Sequence, residues 1–252
     1  MSLLIELEAC VLKIVPIVEG DGEVTAVPAL FRKLLSEIGR YDIQIAPPKN
    51  AHGRANLQKA EGLEKFVKHA WKERDCGAIV ILLDAENECP VDVARDFSNR
   101  IIAMGVIHTV VIVCAARMYE TWFLASLETI IGKDLNGRPG LTKEKSLPAI
   151  IESINSPKSW LNDCLPIGRA YKETQDQEPL TQLLDVSLVR ERSRSFRRLC
   201  QALNEALAAI DNGSKIVTPF FSDSTPELTT RSSLSAVGKK KKKYNRDRKS
   251  VV

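Results

Sequence analysis

A continuous apolar run, Ile79-Val80-Ile81-Leu82-Leu83, empties into three carboxylates at alternate positions, Asp84, Glu86 and Glu88. A segment this short and this apolar reads as a strand buried on both faces, because a half-buried strand would alternate and a helix would need more length. Such a strand belongs in a parallel sheet, and in open parallel sheets ligand sites are built at the carboxyl edge. If the backbone stays extended past Leu83, the three acids point the same way and concentrate negative charge that a cation or protons must stabilise.

The rest of the chain repeats this pattern. Val11 to Val18 is a second strand dense in Val and Ile, ending in Glu19-Gly20-Asp21-Gly22-Glu23. Its glycines permit a tight turn, and apolar residues from Val27 to Ile38 then recur at helical spacing. Tyr41 to Ala46 alternates as a short strand. The segment Lys49 to Arg54 reads as a polar loop, and a helix is expected from about Asn56 to Arg74. Pro90 suits the first turn of a helix running to about Met104. Val106 to Ala115 is another β-branched strand, followed by a helix start at Arg117 to Ala125. Alternating strands and helices predict an α/β fold with a parallel sheet and helices on both faces.

After Ile131 the pattern changes. Gly132 to Thr142 reads as a loop, with helices expected at about Lys143 to Ile154 and Phe196 to Ile210 and little periodicity around Tyr171 to Pro179. The expected organisation is an α/β core over residues 9–131 and a helical C-terminal extension over 132–215 packed on it. A basic tail over 219–252 follows, too poor in apolar residues to fold.

Composition narrows the class. With 252 residues and 44% apolar content, the chain can bury a sizeable core. The formal charge of +4 is uneven: the Lys239 to Lys249 run contributes +7, so the remainder carries −3. Six scattered cysteines without C-x-x-C or Cys/His ligand spacing read as reduced thiols of a cytoplasmic protein. The first residues lack a basic leader, and no segment is a membrane span.

The acids carry the chemistry. Glu19 after one buried strand and Asp84 and Glu86 after another converge if the strands are neighbours. Hard cations such as Mg²⁺ or Mn²⁺ take oxygen ligands, and two of them held about 3.5–4 Å apart can clamp both oxygens of a phosphodiester displacement. Glu23 opens the first helix, where it could add a ligand or simply complement the helix dipole. Glu120 reaches the same sheet edge, either to join the site or to cap its own helix. Lys49, His52 and Arg54 share one loop and are candidate phosphate contacts, and the Lys239 to Lys243 run suits nonspecific nucleic-acid binding. Trp122, Phe123 and Leu124 read as core, and Ser193 as a helix N-cap.

Other motifs fail on spacing. Glu19 to Glu23 lacks the third glycine of G-x-G-x-x-G, and no G-x-x-x-x-G-K-[ST] or G-x-S-x-G occurs. An EF-hand beginning at Asp84 would place Cys89 where glycine is needed and Arg95 where glutamate must ligate.

Glu19 after a first strand with Asp84-x-Glu86 after a later one resembles the TOPRIM fold of topoisomerases, bacterial primases and the OLD-type (overcoming-lysogenization-defect) nucleases. The wider set V-E-G-x-x-E, L-L-D-A-E-x-E-x-P, Y-E-x-W-F-L-A and Y-K-x-T-x-D-Q followed by S-x-S-F, over about residues 11–210, resembles a bacterial family of stand-alone TOPRIM proteins related to OLD nucleases and often encoded beside an ATPase. It departs from the common pattern in having Asp-x-Glu for Asp-x-Asp.

The resemblance implies a TOPRIM/Rossmann-like sheet and a Mg²⁺-dependent nuclease acting on DNA or RNA, in a bacterial defence setting. It also implies an ATPase partner, with homo-oligomers possible. Glu19 becomes a metal ligand or general acid/base, Asp84 and Glu86 become ligands supported by Glu88, and Lys172 becomes the cation that offsets charge on the scissile phosphate. Two rival readings stand beside it: a regulatory or toxin-like subunit that works only with its ATPase, and a nucleic-acid-binding module with a degenerate site.

Overall fold

The apolar run that reads as a doubly buried strand is one, and its side chains feed two cores. In the computed structural model, which describes residues 11–105 and 107–221, this strand spans Cys76–Asp84 (β4). Alternate residues point to opposite faces. Ala78, Val80 and Leu82 join one buried cluster, and Ile79, Ile81 and Leu83 join the other.

β4 lies between Lys13–Val18 (β1) and Thr109–Ala115 (β5), parallel to both. Two-residue strands complete the described sheet: Gln44–Ile45 (β2) and Lys49–Asn50 (β3) pair with β1, and Val217–Thr218 (β6) pairs with β5, all parallel. The strand order is β2-β1-β4-β5-β6.

One face of the sheet is covered by Glu23–Glu37 (α1), which contacts β1, and by Arg194–Asn212 (α10), which contacts β5 and β4. The other is covered by Gly62–Trp71 (α3) on β1 and β4 and by Pro90–Ala103 (α4) on β5. This is the α/β architecture the alternation of segments predicts. Between these elements lie Arg54–Gln58 (α2), Glu120–Ala125 (α5), Leu127–Ile130 (α6), Pro157–Cys164 (α7), Glu173–Leu183 (α8) and Val186–Arg192 (α9). Trp122, Phe123 and Leu124 are fully buried. α8 packs along α1 and so returns to the end of the sheet where β1 terminates.

Several sequence expectations need correction. The helix expected from Asn56 to Arg74 is two helices, because Glu61 takes a left-handed φ of +59 and breaks the run. Lys49 and Asn50 form a strand rather than a loop, with Ala51 N–H continuing the ladder to Val18 O at 2.9 Å. Lys143 to Ile154 is not a helix, since only Ile151–Ser153 makes a 3₁₀ turn. Pro148 accounts for the loss, as it has no amide proton and its ring clashes with the preceding turn. The segment around Tyr171 to Pro179, read as aperiodic, contains most of α8.

Ser193 is an N-cap, its hydroxyl accepting from Phe196 N–H at 3.1 Å. Cys76, Cys89, Cys114, Cys164 and Cys200 are free thiols, with Cys89 exposed. Among the described residues no helix is long and apolar enough to cross a membrane. Met1 to Cys10, Val106 and the basic run from Lys239 lie outside the described residues.

Candidate metal centre

Because β1, β4 and β5 run parallel, their carboxyl ends meet at one sheet edge, and each carries an acid there. Glu19 follows β1, Asp84 is the last residue of β4, and Glu120 opens the helix after β5. With Glu23, Glu86, Lys158, Glu173 and Gln177 they line one cavity of about 430 Å³. Five of the six predicted ligands are thus brought together.

Each acid is positioned by specific local bonds. Glu23 Oε2 accepts the backbone N–H groups of Glu19 and Gly20 at 2.8 and 3.1 Å, tying the helix start back over the turn. Asp84 Oδ1 accepts Tyr119 N–H at 2.9 Å. Glu120, only 1% exposed, takes the Tyr171 hydroxyl on Oε1 at 2.9 Å.

Burial dominates the electrostatics. It pushes the Glu19 carboxyl from 4.5 up to about 7, against the relief offered by Arg54 and a backbone bond from Asp84. It raises Glu23 from 4.5 to about 8, with Glu19 and Glu120 adding repulsion. Asp84 is driven well above the ordinary carboxylate range by desolvation and then by Glu23, Glu120 and Glu19, and Glu120 is raised chiefly by burial. Acids packed this way hold protons or require positive charge.

The cation at hand is Lys158. Burial disfavours its ammonium, but Glu120 and its ion-pair partner Glu173 outweigh this and hold its pKa above the ordinary lysine value. It is contributed by the second residue of α7. Nothing in its local sequence distinguishes it from a surface lysine, although Ser156-Pro157 is a helix-start signal that could have located α7 itself.

Does the cavity fit a metal? Its donors are oxygens, the preference of hard divalent cations. Glu19 Oε1, Glu120 Oε2 and Gln177 Oε1 are buried acceptors without a hydrogen-bond partner, an unusual condition that a cation relieves. Against this, among the described residues no three carboxylate, imidazole or thiol groups are already gathered into a set that could hold a metal ion. The chemistry of the donors fits Mg²⁺ or Mn²⁺.

The approach of α8 is permitted by Gly22. A Cβ there would sit 2.2 Å from Gln177 Oε1 and 2.9 Å from the Glu173 carbonyl carbon.

Other predicted residues lie elsewhere. Glu88 does not line the cavity. The extended backbone that would align it with Asp84 ends at Glu86, whose φ is +50, and Glu88 pairs instead with Arg54 at 2.9 Å. Arg54 makes that pair and donates to Asp84 O at 3.1 Å, Lys49 pairs with Glu73 at 3.0 Å, and neither lines the acidic cavity. Lys172 also lies outside the cavity. Its N–H donates to Asp176 Oδ2 at 2.8 Å, and Asp176 in turn holds Arg138 and Arg169.

Comparison with known proteins places this geometry in context. No curated protein matches the chain. A solved structure, the C-terminal region of the Burkholderia pseudomallei OLD protein, aligns at 18% identity over 78% of this chain and 98% of that one, with a TM-score of 0.39. The family model described as "Domain of unknown function (DUF4276)" matches residues 18–204, a span that includes every residue lining the acidic cavity, and the chain therefore belongs to that family.

Proposed function

We propose that the protein is a metal-dependent phosphodiester nuclease acting on DNA or RNA. The observation that carries this reading is the set of acids at the ends of three adjacent parallel strands, Glu19, Asp84 and Glu120, around one cavity with Lys158 on its wall. Mg²⁺ or Mn²⁺ would be held by Glu19, Asp84 and Glu120, with Glu23 and Glu86 adjoining, and when bound supplies charge neutralisation and Lewis acidity.

The chain's own groups do the rest. Glu19 turns its unpartnered Oε1 to the site, as a ligand where the cation sits against it or as a proton acceptor from water where it does not. Lys158 remains an ammonium and offsets charge gathering on the phosphoryl oxygens, the role that the family resemblance implies for Lys172. Tyr171 holds Glu120 Oε1, leaving Oε2 for the site.

An assay of purified protein on single- and double-stranded DNA and RNA with Mg²⁺ or Mn²⁺ tests this reading. Nicking by the wild type and none by Asp84→Asn supports it. No nicking of any substrate, alone or with the ATPase partner that the sequence resemblance implies, removes it.

A second reading rests on the absence of a ready-made ligand set among the described residues: a nucleic-acid-binding module whose acids no longer hold metal. Calorimetry decides it, since a measurable Mn²⁺ heat lost in Asp84→Asn excludes the degenerate site.

A further inference from the structure

On the far side of Glu86 from the acidic cavity lies a larger cleft of about 750 Å³, between the start of α4, the outer edge of β5 and the first turns of α10. The sheet topology creates it. β6 meets β5 only at Val110 and Val111, so the edge of β5 from Ile112 onward has no strand partner among the described residues. Pro90 and the Phe221 ring supply apolar wall, and Glu86 lines both hollows.

The charge in this cleft differs from that next door. Arg117 spends its guanidinium on Glu86 O and Asn87 Oδ1, at 3.3 and 3.0 Å, rather than on a carboxylate. Arg194, exposed at the start of α10, makes no hydrogen bond or ion pair among the described residues. The acids beside them are partly committed: Glu88 pairs with Arg54, and Glu152 Oε1 accepts from Ser193 Oγ and from Ser195 N–H and Oγ. Two guanidiniums without carboxylate partners, an aromatic ring and a hollow within the usual range of ligand sites form the combination that grips single-stranded nucleic acid, with cations on the backbone and apolar surface against a base.

We propose that this cleft seats the nucleotide adjacent to the one whose phosphate enters the acidic cavity, with its base against Pro90 and Phe221 and its phosphate between Arg117 and Arg194. Resting on the nuclease reading, it adds a path for the strand, which crosses the wall at Glu86 and leaves past the open edge of β5.

Cys89 allows the site to be read directly, because it is a free, exposed thiol lining the cleft. A short oligothymidylate in Ca²⁺ buffer is expected to slow maleimide labelling of Cys89 while leaving labelling of Cys76 unchanged. By fluorescence anisotropy, Arg194→Glu is expected to weaken the oligonucleotide about tenfold or more and to flatten its salt dependence by about one charge, with the thermal midpoint unchanged.

Unprotected Cys89, or an affinity and salt slope indifferent to Arg194→Glu, overturns the assignment. So does protection that grows with protein concentration alone, which gives the cleft to a second copy of the chain. Protection without any cleavage in Mg²⁺ or Mn²⁺, alone or with the ATPase partner, leaves the cleft assigned and removes the nuclease reading, whereas cleavage without protection removes only the cleft.

Discussion

The amide of Glu86 donates to the carbonyl of Arg117 at 2.6 Å, and both residues hold left-handed backbone, with φ of +50 and +65. Arg117 answers with its guanidinium on Glu86 O at 3.3 Å. The loops leaving β4 and β5 are thereby latched together on the wall between the two hollows. Non-glycine residues in this conformation cost energy that the surroundings must supply, and such strain gathers at functional sites.

That strain predicts a dissociation of stability from function. Glu86→Gly should leave the fold as stable or stabilise it by about 1 kcal/mol, since glycine adopts φ of +50 without penalty. It should at the same time weaken Mn²⁺ binding. Urea denaturation and calorimetry on the same preparation check the two halves, and a variant that loses stability contradicts the strain argument.

The raised carboxyls predict how the metal-free protein responds to pH. Glu19 and Glu23 sit near 7 and 8 in the folded state against 4.5 ordinarily, so the unfolded chain releases these protons first. Their favourable contribution is complete below about pH 4.5 and is lost as pH rises through 7 and 8. Thermal midpoints in chelator should therefore fall from pH 5 to pH 8. Mn²⁺ should recover most of that loss at pH 8, and a flat profile in chelator counts against the buried acid cluster.

Lys158 and Lys172 make opposite predictions. Lys158→Met removes the cavity's ammonium and should slow cleavage by about 100- to 1000-fold. Lys172→Met should stay close to wild type, because Lys172 serves the fold through its backbone amide. Single-turnover rates at saturating substrate separate the two.

Gly22→Ala tests the seating of α8. Its Cβ would meet Gln177 Oε1 at 2.2 Å and the Glu173 backbone at 2.9 Å. The expected destabilisation is about 1–3 kcal/mol, typical of overpacking, read as a lower urea midpoint.

Asp176→Ala tests what anchors that helix. Asp176 is 1% exposed and holds Arg138 at 2.8 Å and Arg169 at 2.7 Å. Removing one partner of a buried ionic cluster costs about 3–5 kcal/mol, so the variant should unfold well below the wild type on heating. A midpoint within a few degrees of wild type would show that the cluster is dispensable.

The legibility of these features in sequence follows from where their energy comes from. β4 was readable because both its faces are buried, which forces an unbroken apolar run, and the acids after β1 and β4 stand out against such runs. α8 was not, because its inward residues include Asp176 and Gln177, stabilised by guanidiniums distant in sequence rather than by an apolar stripe. β3 was hidden because two polar residues in a ladder carry no pattern. Lys158 carries no mark in the sequence because the surroundings of a lysine depend on which acids pack around it, and only the folding of α7 and α8 around the acidic cavity supplies them. Gly22 did carry a signal, a glycine between two acids at a helix start, but its tight contact with α8 is a tertiary fact.

The joining of α8 to α1 has a further consequence for how the molecule comes into being. On the ribosome the strands bearing Glu19 and Asp84 emerge early, whereas Lys158, Tyr171 and Gln177 are synthesised only after β1 through β5 have been translated. Until then the acids have neither their ammonium nor the roof that α8 provides, and domains commonly consolidate in the order they are made. A half-made chain is therefore expected to be inert. The acidic cavity is completed only once Gln177 has been made, so any chemistry it performs is withheld until α7 and α8 have joined the strands that carry its acids.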